Sequence, residues 1–312
     1  MLPISMKPRI NYYNALLKKQ FNGRVQKISI NAGCTCPNRD GSIGVGGCTY
    51  CNNQAFYPDY CQPAKSITQQ IEDGFIFFGH KYENKIYLAY FQAYTNTYGD
   101  NQHLISYYEE ALAHPKIDGL VVGTRPDCMN DTLLEYFAQK AKTNYIMIEY
   151  GVESVHDKTL TFINRGHTFD TSCKTIYATA NKGIHIGAHL ILGLPFESHQ
   201  MMMESAKTIS KLPLDMLKLH QLQIVRGTLM SQQYAQHPEW FTLFTLNNYI
   251  DLAIDFIEYL SPSIAIERFV SQSPKDLLIA PDWGIKNYEF TEKINKRIIE
   301  RESYQGRFFQ VK

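Results

Sequence analysis

Three cysteines share one short stretch: Cys36, then eleven residues, Cys48, then two residues, Cys51. Two cysteines separated by two residues both reach one metal centre from a tight turn. Gly41, Gly44, Gly46 and Gly47 let the backbone between them wrap closely around it. Cys34 lies just upstream, so four of the chain's seven cysteines fall between residues 34 and 51. Such crowding in an odd-numbered set reads as metal binding before disulfide pairing, and points to a reducing, cytoplasmic setting. Spacing alone leaves two chemistries open. Cys34, Cys36, Cys48 and Cys51 would complete a four-thiolate zinc knuckle. Cys36, Cys48 and Cys51 would instead hold an iron–sulfur cluster, and three thiolates on a [4Fe–4S] cluster leave one iron open to a further ligand.

The elements that must position this loop alternate along the chain. Short Val- and Ile-rich runs predict strands at Val25–Ile30, Lys85–Phe91, Gly119–Gly123, Tyr145–Gly151, His185–Leu192 and Leu217–Val225. Segments of helical period separate them, at Ser66–His80, Gln102–Ala113, Asp131–Lys142, Phe169–Lys182 and Ser198–Leu212, with a shorter helix at Val155–Ile163. Six βα units predict an α/β fold, a partial (β/α)6 barrel of TIM type with a small C-terminal α/β cap. In such barrels the chemistry sits on the loops at the C-terminal ends of the strands. After Val225 the rhythm changes to an amphipathic helix, Leu246–Leu260, a short strand, Ser263–Ile266, and a final helix near Phe290–Arg301. The expected division is a basic N-terminal arm or helix, 1–24, a barrel, 25–226, and an extension packing on the barrel, 227–312.

With 44% hydrophobic residues among 312, the chain has enough apolar surface for a large core, which excludes wholesale disorder. It has no run of about 18 apolar residues and no apolar stretch after Met1–Arg9, so neither a membrane-spanning helix nor a secretory signal is expected. Net charge is +1, yet the first 39 residues carry seven basic side chains and no acidic one. A one-sided basic arm would steer a phosphate backbone toward the neighbouring cysteine loop; the plain alternative is a solvated surface.

Cys36-Pro-Asn-Arg-Asp-Gly41 followed by Gly46-Gly-Cys-Thr-Tyr-Cys51 resembles the radical S-adenosylmethionine (SAM) group related to the catalytic subunit of elongator, with its stretched first cysteine gap. The likeness continues at Tyr90–Tyr98, Gly123–Cys128, Glu149–His167, Gly193–Glu197 and Ser271–Asn287. It implies a radical SAM partial barrel in which Cys36, Cys48 and Cys51 ligate a [4Fe–4S] cluster that cleaves SAM to a 5′-deoxyadenosyl radical. It places Tyr50 near the adenine. Gln92, Tyr94 and Thr95 stand at the strand end that usually faces the methionyl amino group. Thr124-Arg-Pro-Asp127 looks like an elongator-type motif, and Arg125 is then a candidate for SAM or substrate. Glu153 stands at a ribose-contacting position. Arg165, twelve residues on, stands where an arginine pairs with the methionyl carboxylate, and ranks above Arg125 for SAM. Gly193 and Pro195 form a turn that approaches the adenosine. His220 and Lys218, on one face of the last strand, are candidate proton donors or radical-quench partners; a core histidine is the plain alternative.

The resemblance also implies radical chemistry on a tRNA base, a uridine side chain at the wobble position, and a reductant protein of flavodoxin or ferredoxin type. The basic arm and the segment 286–312, with seven basic against four acidic residues, agree with a phosphate-bearing partner. Tyr12 and Tyr13 are candidates for stacking on an unpaired base or for core contacts. Two rival readings are radical chemistry on a small molecule or peptide, and a zinc-stabilised RNA-binding protein without catalysis.

Overall fold

The computed structural model describes residues 8–52, 57–79 and 85–310. Seven parallel strands form one sheet: β1 (Arg24–Ile30), β2 (Lys85–Phe91), β3 (Ile117–Thr124), β4 (Tyr145–Glu153), β5 (His185–Leu192), β6 (Met216–Gln221) and β8 (Ala265–Arg268), in that order across the sheet. Helices α2 (Ile67–Phe78), α3 (Asn101–Leu112), α4 (Asp131–Lys140), α6 (Phe169–Thr179), α7 (His199–Ile209) and α9 (Leu246–Tyr259) pack around it, with α5 (Asp157–Phe162) following β4. Their starts follow from the sequence. Ser66, Asp100, Asn130, Thr168, Ser198 and Thr245 each cap a helix by accepting a hydrogen bond from the backbone three residues on. The sheet curls into a half-barrel with the main core between strands and helices.

Two features depart from the sequence expectation. The last expected strand, Leu217–Val225, is broken. β6 ends at Gln221, and Ile224–Val225 forms β7, which pairs antiparallel with β9 (Leu278–Ala280). Gln221 causes the break by exchanging hydrogen bonds with the backbone of Ser271, so the chain leaves the sheet there. The short strand expected in the C-terminal extension is β8, and it is the sheet's seventh strand, parallel to β6. Without it, β6 would present an unpaired edge beside the core. The outer edge of β8 is itself covered, since Ile266 N–H donates to the carbonyl of Asn11 at 2.7 Å.

Side chains that face the barrel axis fall into layers because strand neighbours alternate in direction. The bottom layer is apolar. Leu88, Val121, Tyr145, Met147, Met216 and Ala265 pack against Tyr13 and Leu17 of α1 (Tyr13–Phe21). α1 thus plugs the N-terminal ends of the strands, opposite the cysteine loop. This corrects the reading of the basic arm: Lys18 and Lys19 lie on the plug, away from the loop, and Lys7 falls outside the described residues. It also settles the two tyrosines. Tyr13 is buried with its hydroxyl against that of Tyr145, and Tyr12 donates to Asn295 at 2.8 Å, so both are core contacts.

Leu17→Ala removes a buried side chain from a plug with little freedom to collapse. It is expected to lower unfolding free energy by about 2–5 kcal/mol in urea titration, without loss of the α/β circular-dichroism signature.

Candidate active site

The C-terminal ends of the strands open on one cavity. Cys36, Cys48 and Cys51 all line it. The loop that carries them is held from two sides. Thr95 N–H donates to the carbonyl of Thr35 at 3.2 Å, which ties the loop to the end of β2. The segment after α5 supplies the second clamp. Thr49 N–H donates to Ile163 at 2.9 Å, Asn164 donates to the carbonyl of Gly47 at 2.9 Å, and Asn38 donates back to the carbonyl of Asn164. Gly47 has φ +83°, and a Cβ there would meet the Arg39 side chain at 2.9 Å, so the turn before Cys48 requires glycine. Arg39 in turn donates to the carbonyl of Cys51 at 3.1 Å.

Cys34 does not share this arrangement. It packs against the main core, where burial pushes its thiol up to about 11, and it is outside the cavity lining. Among the described residues, no three His, Cys, Asp or Glu side chains gather closely enough to hold a single metal ion. A zinc knuckle needs four donors around one point, and with Cys34 turned to the core the cavity receives three thiols of this loop. Cys61 and Cys128 are ordinary thiols, each pushed up to about 12, mainly by burial.

Arg165 follows the α5 clamp and points at the thiols. Its Nη1 donates to Cys48 Sγ at 3.4 Å, its Nη2 donates to the carbonyl of Gly151, and Glu153 Oε1 stands 3.8 Å away. Its Nε is buried with no partner. Gly151 is needed for this approach, since a Cβ there would fall 2.6 Å from both Arg165 Nη2 and Glu153 Oε1. Glu153 sits at a register shift at the end of β4 with φ +68°, a conformation that costs energy and turns its carboxylate into the cavity. Arg125 lines the same cavity but is committed elsewhere. It forks onto Asp127 at 3.0 and 2.8 Å and donates to the carbonyl of Arg165 at 2.7 Å. Arg125 therefore positions Arg165, whereas Arg165 keeps donor capacity for a ligand.

Tyr50, Gln92, Tyr94 and Thr95 all line the cavity, with Tyr94 at φ +59° and the Arg39 guanidinium 5.8 Å from its ring. Gly193 and Pro195 do not line it. Gly193, at φ +86°, lets the Phe244 ring approach, and the turn delivers Glu197 to accept from Ser154 Oγ at 2.5 Å. His220 lines the cavity; Lys218, one step down the same strand, does not.

Lys218 belongs to a layer of charges at the floor of the cavity, where Glu149 and His189 line it, and the sequence reading missed these partners. Lys218 Nζ lies 2.5 Å from Glu149 Oε2 and donates to Tyr90 at 3.1 Å. Lys27 bridges Glu149 and Glu267 at 2.8 Å each, and His189 stands 3.1 Å from Glu149. Burial alone would raise the Glu149 carboxyl. Lys218, Lys27 and the His189 hydrogen bond outweigh it and hold it well below its ordinary 4.5. Burial, then Arg268, His189 and Lys218, hold the His220 imidazole well below 6.5, so it is neutral at pH 7. One signal was available in the sequence. Glu149 is a lone charge in the otherwise buried strand Tyr145–Val152, where only a paired group survives.

A curled sheet of parallel strands, with three thiols on its first βα loop and an arginine reaching toward them, defines a partial-barrel iron–sulfur enzyme. The chain belongs to the radical SAM superfamily, whose model matches residues 31–209, and the radical SAM C-terminal domain matches residues 214–300. It is 34% identical over 301 residues to YtqA of Bacillus subtilis, covering 96% of this chain and 92% of that one. It is also 26% identical over 120 residues, 38% of this chain and 22% of that one, to the tRNA uridine(34) acetyltransferase of Methanocaldococcus jannaschii. Its fold matches that of the archaeal Methanocaldococcus infernus Elp3, with TM-score 0.67 and 15% identity over 90% of this chain and 64% of that one. No described helix is long and apolar enough to cross a membrane.

The superfamily's cofactors are a [4Fe–4S] cluster and SAM. The residues present fit them: three thiols on one cavity, glycines at the close approaches, and a buried Nε of the cavity-lining Arg165 without a partner.

Glu149→Gln leaves two buried ammonium groups with Glu267 as their one remaining carboxylate, 2.8 Å from Lys27 and 3.6 Å from Lys218. It is expected to cost about 3–5 kcal/mol of stability at pH 7. Because the folded carboxyl is held low, its contribution is complete above the unfolded value of about 4.3 and is lost as the pH falls through the folded value. Denaturant titrations at pH 7 and pH 3 check this, with the gap between variant and wild type narrowing at the lower pH.

Proposed function

We propose that Cys36, Cys48 and Cys51 ligate the cluster and that the enzyme modifies a base in tRNA, a uridine at the wobble position. The observation that carries the first half is the meeting of three thiols and Arg165 on one cavity at the mouth of a parallel barrel. Cluster and SAM together supply a 5′-deoxyadenosyl radical when bound and reduced. The chain's own residues orient and enclose. Arg165, with an unused Nε, is suited to a bidentate grip on the methionyl carboxylate. The Glu153 carboxylate is suited to the ribose hydroxyls. The Tyr50 ring, on the loop between Cys48 and Cys51, offers a face for the adenine. Gln92, Tyr94 and Thr95 supply polar contacts at the end of β2. Gly193 and Pro195 act through the turn that fixes Glu197. Lys218, buried under Glu149, serves to position that carboxylate rather than to touch substrate.

The tRNA half rests on the likeness to the tRNA uridine(34) acetyltransferase and to the archaeal Elp3 fold. Surface charge supports it in a different place from the N-terminal arm. Of the C-terminal cations, Arg297, Arg301 and Arg307 are neutralised by Asp251, Asp255 and Glu258 on α9, and Lys312 falls outside the described residues. Exposed Arg226 follows the cavity-lining Val225, and exposed Lys275 lies between Ser271 and the segment bonded to Arg226. Exposed Lys286 opens α10 (Asn287–Glu300), next to Ile285, whose carbonyl accepts from Gln272. All three cations lie next to, or on segments bonded next to, the cavity-lining Val225 and Ser271, which supports a path for a phosphate backbone on this side.

Two measurements test this reading. With anaerobically reconstituted protein, a strong chemical reductant and SAM, 5′-deoxyadenosine is expected from wild type and Cys34→Ala, and none from Cys36→Ala, Cys48→Ala or Cys51→Ala. A colourless wild type holding zinc would overturn the ligand assignment. In mobility shifts, bulk tRNA is expected to bind wild type with a steep salt dependence, and the Arg226→Glu/Lys275→Glu/Lys286→Glu variant about tenfold or more weaker. Reversing Lys18 and Lys19 is expected to change nothing. Absence of tRNA affinity near physiological salt would favour a small-molecule substrate.

A further inference from the structure

The wall of the cavity contributed by β6 and β8 has no role in the reading of the SAM site above. Arg268 ends β8, on the sheet edge opposite the strand that leads into the cysteine loop, and it lines the cavity. Of the other cavity arginines, Arg125 is committed to Asp127 and the carbonyl of Arg165, whereas Arg165, on Cys48 and Gly151, and Arg39, on the carbonyl of Cys51, each keep one buried Nε without a partner on the cysteine-loop side of the cavity. Among the described residues, Arg268 forms no ion pair. Its Nη2 donates to Nε2 of His220 at 3.1 Å, and its Nε is buried without a partner.

The backbone is arranged to produce this. The pairing of β6 with β8 runs Leu217 to Ile266 and then Lys218 to Arg268, skipping Glu267. That register shift lets two successive residues turn inward, Glu267 to the charged layer and Arg268 to the cavity above it. Irregularities of this kind commonly re-aim a side chain beside an active site. Beside Arg268, Gln223 also lines the cavity. Its Oε1 accepts from Ser271 at 3.2 Å and from Ser273 at 2.9 Å, which leaves its NH2 as the end free to donate. A fixed guanidinium and a fixed amide donor share one wall, and among the described residues a neutral imidazole is the acceptor against the guanidinium.

We propose that Arg268 and Gln223 form an oxyanion subsite that holds a carboxylate or phosphate group of the substrate, so that the enzyme acts on an anionic substrate. The inference rests on the radical SAM reading of the cavity and deepens the reading of the substrate. His220 is a positioning residue here: it accepts from Arg268 and fixes the guanidinium plane. A guanidinium fork suits either oxyanion geometry, and a tRNA substrate would present phosphate from its backbone or carboxylate from a modified base.

The test uses reconstituted holoenzyme with SAM, titrated calorimetrically with acetate and, separately, with inorganic phosphate at constant ionic strength. Saturable binding of at least one is expected for wild type. Arg268→Gln is expected to weaken it about tenfold or more, and Arg268→Lys to keep part of it, with SAM affinity and cluster content unchanged in both. The ion that binds identifies the source, carboxylate or phosphate. No saturable binding of either ion to wild type, or equal binding to Arg268→Gln, would overturn the subsite. A tRNA mobility shift runs in parallel. Anion binding without tRNA binding removes the tRNA reading alone, and tRNA binding without anion binding removes the subsite alone.

Discussion

The half-barrel depends on a buried ionic layer. β1 and β8 are the two edges of the sheet and share no backbone ladder. Lys27 on β1 reaches Glu267 on β8 and Glu149 on β4 at the same time, and Lys218 on β6 closes the set from below the cavity. Buried pairs of this kind add little net stability over an apolar replacement, because removing the charges from water costs as much as their attraction returns. Their effect is on specificity. Lys27 reaches both carboxylates only where the two sheet edges curl toward one another, so the layer ties the curl of the sheet to the charges at the cavity floor.

The layer also separates two environments. Below it, Tyr13 and Leu17 seal the strand ends with apolar contacts. Above it, the cavity is lined by amides, arginines and thiols. A strongly held, ionised Glu149 at the boundary keeps Lys218 occupied. Lys218 is thereby kept out of the cavity lining, although it shares an interior-facing strand row with His220.

Much of this was legible in the sequence. The strand and helix positions follow from period-2 and period-3.6 patterns, and the cysteine loop declares itself by spacing. What could not be read was tertiary. Leu217–Val225 has the composition of one strand, and only the bonds between Gln221 and the backbone of Ser271, fifty residues on, end it early. Ser263–Ile266 is too short to announce which sheet it joins. Arg125 and Arg165 look alike as residues. Asp127, two positions from Arg125, occupies its guanidinium, whereas Arg165 faces thiols and an incompletely paired carboxylate. The basic arm failed as a guide because charge along a sequence carries no direction, and α1 turns under the barrel.

The cysteine loop and Arg165 behave as one unit for a reason visible in the backbone. Asn38 donates to the carbonyl of Asn164, and Asn164 donates to the carbonyl of Gly47, across the gap between loop and clamp, with Asn164 held at φ +52°. Arg125 then ties the carbonyl of Arg165 to the third strand. A shift of the thiols would therefore drag Arg165 with it, and the distance between the two is set by short asparagine side chains bonded to main-chain carbonyls and by the main-chain bond from Thr49 to Ile163. A ligand that must touch both an open iron and a guanidinium requires that coupling, because misplacement by an ångström between two gripping points forfeits most of the advantage of gripping at both.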